Sequence, residues 1–323
     1  MHSEIVPSGD DALQLRVVQG ERMRFAFLPS VGGRLLSLRI DDCEILWQNP
    51  RFFDDDLHCV RPRSQWRALD GTFESWSNVG GSKSWPAPQG WESPEEWPGP
   101  PDPILDSGHW AWSEKTDGDV IEICMTSPDD VRTGLRMVRI FSIPRSGTTF
   151  SERILHIAVG NQRVRWAAWE VCQVRTEGSV GNPKAGIAIS TSGQELPLIQ
   201  GDWWGTVRTE MQESRQWIPI QDAVGKRGFR DATGLVSWTA SDGSGLDLSF
   251  TPDSSAAYPD GGAKVEVWMQ SPLPEPIREL SGLHPDAHLV ELEVLGPWTY
   301  LEPGEFSELL IHWTVRPPRE VTA

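Results

Sequence analysis

Alternation of apolar and polar residues at a period of two constrains the fold of this chain more than any other feature. Three early segments show it, at 13–17, 23–28 and 35–40, and a short one follows at 45–47. Further segments recur at regular spacing between turn sequences, at 120–125, 135–143, 148–159, 164–174, 185–190, 235–240, 246–250, 264–270, 288–295 and 308–315. Because no convincing 3.6-residue period accompanies them, the pattern predicts an all-β protein, either a large sandwich or a barrel. We expect one domain over residues 1–323.

Residues 50–108 interrupt this pattern with an unusual mixture of tryptophan and proline. The stretch holds five of the 17 tryptophans and seven prolines between positions 86 and 103. That proline density excludes a helix and leaves little room for a strand ladder. So many indoles are not typical of a disordered linker. We therefore predict an ordered insertion, here called the excursion, that packs on the β-body and caps a cleft.

Charge and composition exclude several function classes. The 46 acidic residues against 29 basic residues give a net charge of −17, which disfavours nucleic acid and anionic membrane surfaces as partners. No apolar run is long enough for a membrane helix, and the first twenty residues lack the basic region of a signal peptide. The four cysteines are far apart and are expected to be reduced thiols. These features predict a cytoplasmic protein, with its oligomeric state left open.

Several common catalytic motifs are missing from the sequence. The seven histidines show no zinc-type spacing. Phosphate-loop, dinucleotide-binding and serine-hydrolase motifs are not found either. We therefore expect neither a metal nor a cofactor, and a small molecule as the partner.

The two late strands at 264–270 and 288–295 carry the most informative side chains. Alternation places Glu266 and Trp268 on one face of the first strand, and Glu291 and Glu293 on one face of the second. If the strands are neighbours, three carboxylates and an indole line one sheet surface. An ordinary solvated face is the alternative interpretation, but Trp268 suits a sugar ring better than open water.

The strand at 164–174 leaves two readings open. Alternation places Trp166 and Glu170 on one face, whereas Trp169 and Gln173 fall on the other. Glu170 is either a core carboxylate paired with an arginine or a site residue.

A second candidate cluster lies in the excursion. Lys83, Trp85 and Gln89 bring a cation, an indole and an amide within seven residues, and Trp91 follows closely. Such a set is suited to binding a polyol. The alternative is that the cluster only plugs one end of the β-body.

Several segments resemble proteins of the aldose-1-epimerase-like, galactose mutarotase-fold superfamily, in particular a bacterial branch of it. They are 29–38 with 43–50, 80–89 with 101–103, 151–161, 290–293, 296–297 and 301–305. The resemblance spans nearly the whole chain. It implies a β-supersandwich with a saccharide cleft on the concave face of one sheet.

The resemblance also implies acid–base chemistry at the anomeric centre of a sugar. By position in the C-terminal sheet Glu291 or Glu293 would be the base; we prefer Glu291, with Glu266 as an alternative. The family's acid is usually a histidine, and no histidine here matches its motif, so Lys83, or else His109, would serve as the acid. The substrate is expected to contact the aromatic and polar residues Arg34, Trp85, Gln89, Trp91, Asp106, Trp166, Glu170, Trp268 and Glu293.

The leading functional hypothesis is therefore an epimerase or mutarotase-type isomerase acting on a sugar or sugar-like metabolite. One alternative is a saccharide-binding protein that keeps the cleft without catalysis. Another is a tailoring isomerase, cyclase or lyase that uses the same cleft for a different acid–base reaction.

Overall fold

The computed structural model describes residues 1–319, and β-strands dominate it. In chain order the strands are β1 (Ser3–Val6), β2 (Leu15–Gln19), β3 (Met23–Leu28), β4 (Arg34–Ile40), β5 (Cys43–Glu44), β6 (Ser82–Ala87), β7 (Ala111–Asp117), β8 (Val120–Thr126), β9 (Leu135–Pro144), β10 (Thr149–Ala158), β11 (Val164–Val174), β12 (Gly186–Thr191), β13 (Leu198–Trp204), β14 (Glu210–Gln212), β15 (Arg215–Pro219), β16 (Val224–Phe229), β17 (Ala232–Thr239), β18 (Gly245–Ser249), β19 (Val265–Gln270), β20 (Leu289–Leu295), β21 (Thr299–Leu301) and β22 (Phe306–Arg316). Single 3₁₀ turns are found at Asp11–Leu13, Arg63–Gln65, Phe73–Ser75, Asp260–Gly262 and Arg278–Leu280. Within residues 1–319, no helix is long and apolar enough to span a membrane.

The strands form two antiparallel sheets. The first has twelve strands in the order β1-β2-β3-β4-β6-β11-β20-β19-β16-β13, with β5 beside β4 and β21 beside β11. The second has ten strands in the order β14-β15-β12-β17-β18-β22-β10-β9-β8-β7. The all-β sandwich expected from the sequence is confirmed.

The main core lies between the two sheets and explains which way the late strands face. Val265, Val267 and Met269 of β19 pack in one apolar cluster with Ile311 and Trp313 of the second sheet. Because alternate residues of a strand point to opposite faces, the intervening residues of β19 lie on the outer face of the first sheet.

The excursion contains one element that the sequence interpretation missed. Strand β6 lies inside the first sheet, paired with β11 from Ser82 to Ala87 and with β4 only at Leu35–Ser82. The expectation that proline would prevent a ladder here is wrong. Strand β4 pairs with β6 only at Ser82, so among residues 1–319 no strand lies on that side of β6 at Pro86. The N–H that proline lacks is therefore not needed for a hydrogen bond to β4.

Candidate functional site

A cavity of about 550 Å³ opens on the outer face of the twelve-stranded sheet. Its floor comes from β11, β13, β16, β19 and β20, and the excursion supplies one wall, including Trp76, Gln89 and Trp91. Four charged side chains line it, Lys226, Asp260, Glu291 and Glu293.

Strand register places the charged residues of the floor in two rows. In the first row Glu291 lies opposite Trp268 on one side and opposite Gln173 on the other. In the second row Glu293 lies opposite Glu266. The predicted meeting of three carboxylates and an indole on one sheet surface is therefore what the structure shows.

Glu291 is fixed by a buried cation and an amide. Its Oε1 accepts hydrogen bonds from Lys83 Nζ at 3.0 Å and from Gln173 Nε2 at 2.7 Å. Its Oε2 has no hydrogen-bond partner among residues 1–319, and 13% of the side chain is exposed. One carboxylate oxygen is thus held while the other is free for a ligand.

Lys83 lies beneath the cavity floor and does not line it. Its side chain is 1% exposed, and Nζ lies 4.7 Å from the centre of the Trp85 ring. Burial lowers its pKa, whereas the Glu291 carboxylate opposes that shift. Lys83 is positioned to hold Glu291 and not to reach a ligand directly.

A second ionic cluster surrounds Glu293. Lys226 Nζ lies 2.6 Å from Glu266 Oε2 and 2.9 Å from Glu293 Oε2. Trp169 Nε1 donates to the same Glu293 oxygen at 2.8 Å. Glu266 is fully buried behind the floor, where it also accepts a hydrogen bond from Gln200.

One ammonium group between two buried carboxylates leaves a negative charge unbalanced in this cluster. Burial raises the pKa of Glu293 to about 8; Lys226 opposes the shift, and Glu266 and Glu291 add to it. For Lys226 burial opposes the charge, but Glu266 and Glu293 outweigh it and raise the pKa. Glu293 therefore favours its protonated form, beside a lysine that keeps its charge.

Asp260 is a further carboxylate of the cavity. It begins the loop Asp260–Gly262, and its φ of 50° is in the left-handed region, which aspartate tolerates better than most residues. Its carboxylate has no hydrogen-bond partner among residues 1–319. Burial and the nearby Glu266 raise its pKa to about 7, although Lys226 opposes the shift.

Indole rings surround this polar floor. Trp85 lies 5.3 Å from Trp169 and 6.2 Å from Trp76, measured between ring centres. On the opposite side Trp203 and Trp268 form a second pair at 5.4 Å. Flat apolar faces around fixed polar groups are the arrangement with which proteins bind sugar rings and other amphipathic ligands.

Arg34 and Asp106 were expected to contact substrate, and the structure places both outside the cavity. They form a fully buried ion pair, with Arg34 Nη2 2.7 Å from Asp106 Oδ1. Asp106 also accepts a hydrogen bond from Trp76 Nε1 at 2.8 Å. The pair therefore positions an indole of the cavity wall from behind.

Glu170 and Trp166 were also expected to contact substrate, and the structure places both outside the cavity. Glu170 points between the sheets, where Arg139 Nη2 lies 3.3 Å from its Oε1 and Ser82 donates to it. Trp166 donates from Nε1 to the Thr133 carbonyl at 3.0 Å and does not line the cavity. Of the two readings of this strand, the core carboxylate is the correct one, and the opposite face, with Trp169 and Gln173, serves the cavity.

His109 is exposed and does not line the cavity, which corrects its expected role as an acid. The other expected contacts, Trp85, Gln89, Trp91, Trp268 and Glu293, do line it. Residues of the site that the sequence interpretation missed are Trp76, Trp169, Gln173, Gln200, Trp203, Lys226 and Asp260. The alternation of β11 offered Trp169 and Gln173, and no pattern signalled Lys226.

Comparison with known proteins shows which fold the chain has. The sequence matches no protein-family model and no curated protein. A galactose mutarotase-like protein from Clostridium acetobutylicum superposes with a TM-score of 0.55 at 9% identity, covering 97% of each chain. Another from Lactobacillus casei ATCC 334 gives 0.52 at 8% identity over 94% of this chain and 100% of its own. The chain has the galactose mutarotase-like fold.

A third solved structure also superposes on nearly the whole chain. A TPR-domain containing protein from Parabacteroides distasonis ATCC 8503 superposes with a TM-score of 0.61 at 14% identity over 96% of this chain. This chain spans about half of that protein, 48% of its length. At identities of 8–14% the likeness is one of fold, and it confirms the β-supersandwich expected from the sequence resemblance.

Proposed function

We propose that the cavity binds a sugar or sugar-like polyol and interconverts its anomers by acid–base catalysis. The observation that carries the proposal is the pair Glu291 and Glu293, two carboxyl groups on one face of β20 with opposite environments. Residues two apart on a strand are separated by about 7 Å. An anomeric centre with a hydrogen bond of about 2.6–3.2 Å on either side fits that spacing.

In this proposal Glu291 is the base and Glu293 is the acid. The free Oε2 of Glu291 takes the proton of the anomeric hydroxyl, while Glu293 gives its proton to the ring oxygen. The bond between the anomeric carbon and the ring oxygen breaks, leaving an open-chain carbonyl. After rotation the ring closes on the other face, both protons return, and no external reactant is consumed.

Neighbouring residues support the assignment of Glu291 as the base and Glu293 as the acid. Lys83 and Gln173 hold Glu291 by one oxygen and leave the other oxygen free to accept a proton. Burial raises the pKa of Glu293 to about 8, which favours its protonated form at neutral pH. A proton donor and a proton acceptor on opposite sides of the reacting centre are the requirement for concerted acid–base work.

Saturation-transfer NMR on a panel of aldoses tests the proposal. Wild-type protein is expected to accelerate anomer exchange of at least one aldose, and Glu291→Gln to slow it by at least about 100-fold, the usual contribution of a general base. Glu122→Gln, an exposed glutamate of β8, is the matched control and is expected to exchange at the wild-type rate. Exchange left unchanged by wild type across the panel, or unaffected by Glu291→Gln, contradicts the proposal.

A saccharide-binding protein without catalysis is the second candidate. It is favoured by the ion pairs, because Lys83 and Lys226 engage three of the carboxylates at the site, Glu266, Glu291 and Glu293. Under this candidate aldoses quench tryptophan fluorescence while anomer exchange stays at the uncatalysed rate.

We place this activity in the cytoplasm and assign it a small-molecule partner. The four cysteines form no disulfide within residues 1–319, which suits a reducing compartment.

A further inference from the structure

The charges around the cavity do not balance. Four carboxylates, Asp260, Glu266, Glu291 and Glu293, face or underlie it, against the two ammonium groups of Lys83 and Lys226. With Glu293 protonated, Lys83 pairs with Glu291 and Lys226 with Glu266, and the carboxylate of Asp260 remains without an ion-pair partner among residues 1–319. Uncompensated charge in a partly buried site is costly, and a ligand of opposite charge relieves the cost.

The unpartnered acceptors concentrate on one wall of the cavity, beside β13. Asp260 contributes a carboxylate without a hydrogen-bond donor among residues 1–319, and Gln200 lies directly against it, with Nε2 3.3 Å from the Asp260 carbonyl oxygen. Gln200 Nε2 also donates to Glu266. Both neighbours of this amide nitrogen are acceptors, so the orientation of the Gln200 side chain is fixed.

That orientation leaves Gln200 Oε1 as a buried acceptor without a donor. Gln200 and Asp260 both line the cavity, and Trp203 of the same strand lines it beside them. A group that donates hydrogen bonds and carries positive charge would pair with the Asp260 carboxylate and lie against the Trp203 ring, whereas Gln200 Oε1 is too buried for a ligand to reach in this structure. An ammonium group has three donors, and indole faces attract cations within about 6 Å.

We propose that the ligand of this cavity is an amine-bearing sugar or polyol, whose ammonium group binds at the Asp260 carboxylate beside Trp203. This inference rests on the proposed function and names its substrate class. The raised pKa of Asp260, caused by burial and by Glu266, agrees with a carboxylate that lacks its counter-charge in the free protein.

The arginines of a neighbouring cavity do not line the main one. This second cavity, of about 330 Å³, lies beyond Trp76 and includes Arg51, Arg61 and Arg67, of which Arg61 lies over the Phe52 ring. Arg51 is paired with Asp286, and Arg67 with Glu74. Their charges are balanced locally and do not offset the carboxylates of the main cavity.

Calorimetric titration at pH 7.0 tests whether the cavity prefers cationic, neutral or anionic sugars. The probes are glucosamine, galactosamine and mannosamine, each with its parent aldose and its N-acetyl derivative, together with glucuronate and glucose 6-phosphate as anions. At least one amino sugar is expected to bind at least 10-fold more tightly than its parent aldose and its N-acetyl form. Equal or tighter binding by the neutral or anionic sugars overturns the inference, and binding by no probe overturns it together with the proposed function.

The variant Asp260→Asn tests whether the ammonium group binds at Asp260. Asparagine tolerates the left-handed backbone at this position, so the loop is expected to keep its shape. The variant is expected to bind the amino sugar at least 10-fold more weakly and to lose the preference for the amino sugar over its parent aldose. Asp41→Asn is the matched control, because Asp41 also has a left-handed backbone, with φ of 52°, but is exposed and paired with Arg22.

The outcomes distinguish this inference from the proposed function. If wild type exchanges the anomers of neutral aldoses but prefers them to amino sugars, the proposed function stands and the inference fails. If Asp260→Asn retains the full preference for the amino sugar, the assignment of the ammonium site to Asp260 is wrong.

Discussion

Replacing Lys226 with methionine probes the ionic cluster at the centre of the site. The substitution keeps the length of the side chain but removes the cation that lies 2.6 Å from Glu266 and 2.9 Å from Glu293. Removing one partner of a buried ion pair costs about 3–5 kcal/mol. Because Lys226 retains 19% exposure, we expect the lower figure, about 3 kcal/mol, in the free energy of unfolding.

The loss is expected to depend on pH in a defined direction. Without the cation one more negative charge of the cluster has no counter-charge, so the folded variant binds one proton more than the unfolded chain, on a carboxyl group whose folded pKa lies above its unfolded value. Such groups lose stability as pH rises toward the folded pKa, by about 1.4 kcal/mol per pH unit for each extra proton. The deficit should therefore be about 3 kcal/mol at pH 8.5 and about 1.5 kcal/mol at pH 5.5.

Urea unfolding of wild type and variant at the two pH values measures both deficits. Lys115→Met is the control, since Lys115 lies on the exposed strand β7 and has no ion pair among residues 1–319. A deficit of the same size at pH 5.5 and 8.5 would falsify the reasoning, because it would mean that Lys226 stabilises the fold by packing and not by charge.

Two further predictions concern the acid and the buried support of the cavity wall. If Glu293 is the acid, anomer exchange should decline as pH rises through about 8, where its carboxyl ionises, and Glu293→Gln should remove that decline along with most of the activity; a pH–rate profile of both proteins checks this. Asp106→Asn breaks the fully buried pair with Arg34 and is expected to lower the free energy of unfolding by about 3–5 kcal/mol in urea titration.

Each of these predictions has an outcome that contradicts it. A decline in anomer exchange that persists in a Glu293→Gln protein with residual activity would assign the titrating acid elsewhere, with Asp260 the next carboxyl in the cavity. For the buried pair, Asp41→Asn serves as the comparison, because it breaks an exposed pair with Arg22 and should leave the urea midpoint unchanged. Equal effects of the two aspartate substitutions would contradict the role given to burial.

The sequence predicted the late strands well because each has only one apolar face. In β19 and β20 valine and leucine alternate with charged residues, so the face that carries Glu266, Glu291 and Glu293 followed directly. The same reasoning failed for strand β11. It is buried on both faces, with an indole on each, and alternation alone could not say that Trp169 faces the cavity while Trp166 does not.

The site residues that the sequence interpretation missed lie in segments whose local sequence does not indicate a cavity-lining strand or loop. Lys226 belongs to the segment Val224–Phe229, whose two glycines and adjacent basic residues hide the period of a strand. Asp260 precedes two glycines and has the sequence of a surface turn. The Arg34–Asp106 pair joins residues 72 positions apart, a separation that no local pattern can connect.

Strand β6 makes the excursion indispensable to the sheet. It is the strand that stands between β4 and β11 and joins the N-terminal strands to those that form the floor of the cavity. Cutting out residues 50–108 would therefore remove a strand from the middle of the sheet and leave residues 45–47, which bond to Gln173 and Arg175, as the remaining link on that side of β11. The stretch that forms one wall of the cavity and the strand that completes the sheet between β4 and β11 are thus one continuous piece of chain.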